Sequence, residues 1–213
     1  MNVAGNLAAV KQNIERAGGN PDEITIVAVT KGFGADVARE AVRAGLSILG
    51  ENRVQEALAK MPEVEGATWH LIGHLQTNKV KLMLGRFALV HSLDSTHLAE
   101  ALGRQDRSQR VLVEVNVARE TQKSGVAPEG ALKLIETAAG LVDVHGLMAI
   151  GPTHGDPRPA FEELRRIRDR AQERLGAPLP ILSMGMSGDY EDAVCAGSTM
   201  LRLGTALFGP RYR

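Results

Sequence analysis

The chain has 213 residues, of which 44% are hydrophobic and 23% charged, a balance that supports a buried core under a soluble surface. Lys plus Arg and Asp plus Glu both number 25, so the formal net charge is zero, which argues against a general attraction to nucleic acid or an anionic membrane. A single cysteine, Cys195, forbids an internal disulfide and suits a reducing, cytoplasmic setting.

The amino terminus has no basic segment leading into an apolar run, so no signal peptide is expected, and no stretch approaches the ~20 apolar residues of a membrane span. Val3, Leu7, Val10 and Ile14 recur instead at helical spacing. Strand-like and helix-like segments then alternate. Ile24–Thr30 is a β-branched apolar run, followed by a helical pattern over Asp36–Ala44. Ser47–Gly50 reads as a short strand and Val54–Met61 as a helix. Trp69–Gly73 and Leu89–Leu93 are the next strands, each followed by a helical stretch, and Val111–Asn116 and Val144–Ile150 continue the series. A helix over Pro159–Leu175 carries charges of both signs, and Pro180–Met184 and Met200–Leu203 are the final strands.

This alternation predicts a single parallel (β/α)8 TIM-type barrel with an extra N-terminal helix, one domain over residues 1–213. An open doubly wound sheet would alternate in the same way. Closure is favoured by the even distribution of short strands. The Gly/Pro-rich stretch Gly151–Pro159 leads at once into another helix and reads as a loop over the barrel.

Polar residues interrupt the apolar strands mainly at their carboxyl ends: Lys31, Asn52, His74, Asn116, the Ser183–Ser187 stretch, and Arg202 to Thr205. In a parallel barrel those ends share one face, where active sites are built. Lys31 is in phase with Val27 and Val29. On the barrel's inner face its ammonium would be partly desolvated, and a neutral amine can attack an aldehyde to form a Schiff base. Arg202, flanked by apolar residues, needs an acceptor if buried: either a carboxylate from another strand, such as Glu114, or a ligand. Gly204–Thr205 offers close backbone approach and hydroxyl and N–H donors to an anion, with Ser183–Gly188 opposite. As isolated patterns both are equally ordinary turns.

His70 and His74 stand four apart across a strand end, and HExxH, Cys-rich, GxGxxG and Walker A patterns are missing, so metal and nucleotide sites are not expected. Cys195 reads as a packing residue and Arg165–Arg174, interleaved with acids, as a solvated helix face.

Seven segments together resemble the pyridoxal phosphate homeostasis proteins, relatives of the barrel domain of alanine racemase. They are Val27-Ala-Val-Thr-Lys31, Gly50-Glu-Asn-Arg-Val-Gln-Glu56, the run from Trp69 to Lys79, Lys123-Ser-Gly125, Gly146-Leu-Met148, Leu182-Ser-Met-Gly-Met-Ser187 and the run from Gly197 to Thr205. The resemblance spans nearly the whole chain. It implies pyridoxal 5′-phosphate (PLP) carried as an aldimine on Lys31, with its phosphate around Ser187, Gly204 and Thr205. It places Arg202 beside the pyridine nitrogen and Asn52, His74 and Met184 around the pocket. Gly32-Phe33-Gly34 departs from the bulkier, often proline-containing segment of the family, so the loop shape there is not carried over.

The implied function is PLP (vitamin B6) homeostasis: a cytoplasmic monomer holding cofactor, with PLP-dependent enzymes as recipients, and no catalytic turnover, nucleic acid or membrane. The alternative is a PLP-dependent amino-acid racemase; a third reading is a PLP-free barrel enzyme acting on a phosphorylated metabolite. Racemisation needs an acid–base group on each face of the substrate. In alanine racemase a tyrosine from a separate domain serves the second face. The tyrosines here, Tyr190 and Tyr212, lie in no matching motif, and the chain is expected to end directly after the barrel.

Overall fold

A computed structural model describes residues 2–210, so Tyr212 lies outside the described residues. The chain opens with helix α1 (Val3–Arg16), capped by the Asn2 side chain, which accepts from the Gly5 N–H. Strands and helices then alternate: β1 (Thr25–Val29), α2 (Ala35–Arg43), β2 (Ile48–Glu51), α3 (Val54–Lys60), β3 (Thr68–Leu71), α4 (Val80–Met83), β4 (Leu89–Leu93), α5 (Thr96–Gly103), β5 (Arg110–Glu114) and α6 (Pro128–Ala139). The series ends with β6 (Asp143–Met148), α7 (Arg158–Leu175), β7 (Ile181–Ser183), α8 (Tyr190–Cys195), β8 (Met200–Leu203) and α9 (Thr205–Phe208).

All eight strands pair in parallel with their chain neighbours, and β8 pairs with β1. The sheet is therefore a closed TIM-type barrel and not an open doubly wound sheet. Several strands end a residue or two earlier than the apolar runs predict. Thr30, Asn116 and Ile150 lie one or two residues past the ends of β1, β5 and β6.

Side chains alternate across the sheet, and the core divides accordingly. Val27, Leu89, Leu112, Met148 and Met200 fill the barrel's interior, with Ile48, Ile72, Ile150 and Ile181 against them. Ala28, Leu49, Val90, Val113, Leu147 and Leu201 point the other way and pack under the helices. The long α7 buries Phe161, Leu164, Ile167 and Ala171 at helical spacing and leaves Arg166 paired with Glu162 on its exposed side. Arg165, Arg166, Arg170 and Arg174 are exposed and form the solvated face, whereas Arg168 is part-buried, with Nη1 on the Leu179 carbonyl. The extra helix α1 packs on α8 and α9, where Asn13 Nδ2 donates to the Tyr190 hydroxyl at 2.8 Å.

Cys195 corrects its reading. It is the last residue of α8 and is exposed, off the face that buries Tyr190, Ala193 and Val194. The 149–157 loop is tied across the barrel mouth to the segment after β5. Glu120 accepts from the Thr153 N–H and hydroxyl at 2.7 and 2.6 Å, and Lys123 Nζ donates to the Gly151 carbonyl at 2.6 Å. Among the described residues, no helix is long and apolar enough to cross a membrane.

Candidate functional site

The carboxyl ends of the strands enclose a cavity of about 870 Å³, measured to include its open mouth. Val29, Lys31, Phe33, Asn52, Ile72, Ile150, Met186, Ser187, Gly188, Arg202, Gly204 and Thr205 line it. Six of the eight residues singled out from the sequence thus meet in one place: Lys31, Asn52, Ser187, Arg202, Gly204 and Thr205. The other two stand apart. His74 is half exposed in an adjoining groove, with Nδ1 3.2 Å from Asp94 Oδ2. Met184 is fully buried in the outer core beneath the helices, because it follows the inward-facing Ser183 by one residue; Met186 lines the cavity instead.

Lys31 sits in a tight turn. The Phe33 N–H donates to the Thr30 carbonyl at 3.1 Å, and Gly32 has φ 73°, the left-handed conformation that the third position of such a turn favours in glycine. The Gly32-Phe33-Gly34 segment therefore closes the loop compactly, with the Phe33 ring packed at 5.4 Å on Phe208.

Arg202 is 4% exposed. Its acceptors are not the carboxylate of Glu114 but the Ser183 carbonyl and hydroxyl, each 2.7 Å from Nη1, and the Ala149 carbonyl, 2.9 Å from Nη2. Burial lowers its pKa to about 10, which still leaves it cationic at neutral pH. Ser183 Oγ in turn lies 3.0 Å from His91 Nδ1, and His91 Nε2 lies 3.1 Å from His70 Nδ1. With neutral imidazoles the two contacts form a one-directional relay, running either from the Ser183 hydroxyl through His91 to His70 or from His70 through His91 to Ser183, according to the tautomer. Desolvation lowers His70 to about 4, and desolvation, His70 and Arg202 together hold His91 well below its ordinary value.

Opposite, the N–H groups of Gly204 and Ala206 both donate to Ser187 Oγ, at 3.2 and 3.0 Å. A hydroxyl that accepts twice has its own proton left to offer, and the Ser187 and Thr205 side chains both border the cavity. Asn116 braces the loop behind β5, donating from Nδ2 to the Glu120 and Lys123 carbonyls. Glu114, 5% exposed, has its pKa pushed up to about 7 by burial and by Asp94.

The sequence reading passed over His91 and Ile150. His91 shares the phase of Leu89 in a strand whose other residues are apolar apart from Ser92, and that placement was the available signal. It also passed over Glu51 and Lys60, whose partnership joins a strand to a helix and has no local pattern.

The chain matches the family described as "Alanine racemase, N-terminal domain" over residues 5–212. It is 42% identical over 226 residues to the pyridoxal phosphate homeostasis protein of Aquifex aeolicus, covering 99% of both chains. It is 38% identical over 218 residues to the protein of that name from Pseudomonas aeruginosa, covering 99% of this chain and 94% of the other. The solved structure of PipY from Synechococcus elongatus with PLP bound superposes with a TM-score of 0.85 at 34% identity, over 97% of this chain and all of the other.

The buried histidines set a pH dependence. His70 titrates near 4 when folded against 6.5 as its ordinary value. Its contribution to stability is thus complete above 6.5 and falls as pH drops from 6.5 towards 4, by about 1.4 kcal/mol per unit of pH. Glu114, raised from 4.5 to about 7, acts with the opposite sign: its contribution is complete below 4.5 and is lost as pH rises towards 7. Comparing wild type with His70→Gln isolates the histidine. The stability advantage of wild type, measured by denaturant unfolding, is expected to shrink by about 2 kcal/mol between pH 7.5 and 5.0. Parallel profiles would contradict the buried, neutral assignment.

Proposed function

Because the chain belongs to the pyridoxal phosphate homeostasis protein family, within the wider alanine racemase N-terminal domain family, we propose that it holds PLP as a Schiff base on Lys31 and serves the PLP pool without catalytic turnover. One observation carries the reading. An amine, a buried guanidinium and a cluster of neutral anion donors converge on a single apolar-walled cavity.

The donor set fits the cofactor. The cavity walls Val29, Ile72 and Ile150 are apolar and suit a flat ring. Ser187, Gly204 and Thr205 supply hydroxyl and N–H donors of the kind a phosphate ester takes. Asn52 also borders the space, while His74 and Met184 would act from the adjoining groove and from behind the wall. When bound, the cofactor supplies an aldehyde that condenses with a lysine amine. Arg202 has donors and no acceptor, so the cofactor atom it meets must accept. A ring nitrogen facing it stays unprotonated, which makes the ring a poorer electron sink for a carbanion.

The same residues argue against racemisation, which needs a second acid–base group. Tyr190 is 7% exposed and engaged with Asn13 on the far side of α8, and no tyrosine lines the cavity among the described residues. We take the protein to act as a cytoplasmic monomer within one domain, giving PLP to enzymes that need it.

Three measurements test this. Borohydride reduction and mass spectrometry should find the pyridoxyl adduct on Lys31, and Lys31→Ala should remove the chromophore while leaving the fold intact; an adduct mainly on Lys79 or Lys81 would sink the assignment. Thr205→Ala removes one charge-assisted bond worth about 1.5–3 kcal/mol, so PLP should bind about ten-fold more weakly while phosphate-free pyridoxal is little affected. Equal losses would put Thr205 away from the phosphate. Finally, holoprotein incubated with L-alanine in deuterated water should show neither Cα deuterium nor D-alanine. Either appearing at an enzyme-like rate, and vanishing in Lys31→Ala, would establish the racemase alternative.

A further inference from the structure

Thr30 and Glu51 each stand one residue before a cavity residue, Lys31 and Asn52, and by strand alternation they face the opposite way, into the layer beneath α3. There they meet Lys60. Its ammonium donates to Glu51 Oε1 at 2.6 Å and to the Thr30 carbonyl at 2.9 Å, and the Thr30 hydroxyl donates to the same Oε1 at 2.7 Å. Thr30 and Glu51 are fully buried, and the Lys60 side chain is 12% exposed. The Thr30 N–H is also taken, by the Gly50 carbonyl at 3.1 Å. Every polar group of Thr30 is therefore held, and its carbonyl belongs to the peptide that carries Lys31.

Stability alone is a poor account of this arrangement. A buried ion pair commonly does no better than an apolar pair of similar volume. Here Glu51 Oε2 is also buried without a partner among the described residues, which adds a cost. An apolar pair could hold α3 on the sheet equally well but could not grip a carbonyl oxygen. We propose that Lys60, Glu51 and Thr30 form a positioning clamp on the outer face of the barrel that fixes the Thr30–Lys31 peptide and so aims the Lys31 amine at the incoming aldehyde. The three are positioning residues; none lines the cavity.

The inference rests on the Schiff-base reading of Lys31 and is tested separately from it. Apoprotein is mixed with PLP, and the rate of forming borohydride-reducible adduct on Lys31 is followed. Affinity for 4′-deoxypyridoxine 5′-phosphate, which has the ring and phosphate but no aldehyde, is measured in parallel. In Lys60→Met the capture rate should fall about ten-fold or more, since small misplacements of a reacting group are costly, while the aldehyde-free analogue binds within about two-fold of wild type. Lys60→Arg, which keeps donors on that side, should recover most of the rate. If Lys60→Met does not fold, the double variant Glu51→Gln/Lys60→Met carries the same expectation without an unpaired buried carboxylate. An unchanged capture rate in folded variants, or capture and analogue binding falling together, would overturn the clamp. Wild-type protein without an adduct on Lys31 would instead overturn the reading beneath it, and the clamp with it.

Discussion

Four residues of β8 run in register with four of β1, Met200 to Leu203 beside Thr25 to Ala28, and this pairing closes the sheet. Arg202 thereby lies next to Val27, and the turn holding Lys31 comes to the same rim as Gly204 and Thr205, from the other end of the chain. Without that ladder the amine and the anion donors would belong to different edges of an open sheet. Closure also seals the barrel interior from water, so the polar groups placed inside it must find partners within the protein.

Those groups solve the problem of burial in different ways. Arg202 keeps its charge and spends its donors on carbonyl and hydroxyl oxygens, which are neutral acceptors. The histidines behind it give up their charge instead, and a neutral His70–His91–Ser183 chain supports the guanidinium without repelling it. Glu114 moves the same way by holding a proton to higher pH. A cation that cannot be neutralised is thus left as the fixed charge on the cavity's inner side, where it governs what the neighbouring ligand atom must be.

On the outer face the logic differs. Lys60 and Glu51 keep both charges under α3 and anchor a main-chain carbonyl. The barrel mouth is braced further by Glu120 and Lys123, which tie the segment after β5 to the loop after β6. The lysine side of the cavity is held by the clamp, and the loops after β5 and β6 by these contacts.

How much of this was legible in the sequence follows from the range of each interaction. Period-two alternation and apolar runs are local, so the eight strands and the shared phase of Lys31 with Val27 and Val29 could be read directly, while closure was favoured over an open doubly wound sheet and not fixed. The clustering of polar residues at strand ends pointed to the correct rim. What a residue meets across the barrel depends on register between strands far apart in sequence. That is why the Ser183 and Ala149 oxygens that hold Arg202 were not foreseen beside the two acceptors the sequence offered, a carboxylate such as Glu114 or a ligand, why Met184 turned out to face the helices while Met186 faces the cavity, and why His91 went unnoticed. The sequence by itself determined the alternating elements and the strand ends at which a site could form. Tertiary structure alone decided which buried donor meets which acceptor, because those contacts exist only after closure brings strands seven and eight back beside strand one.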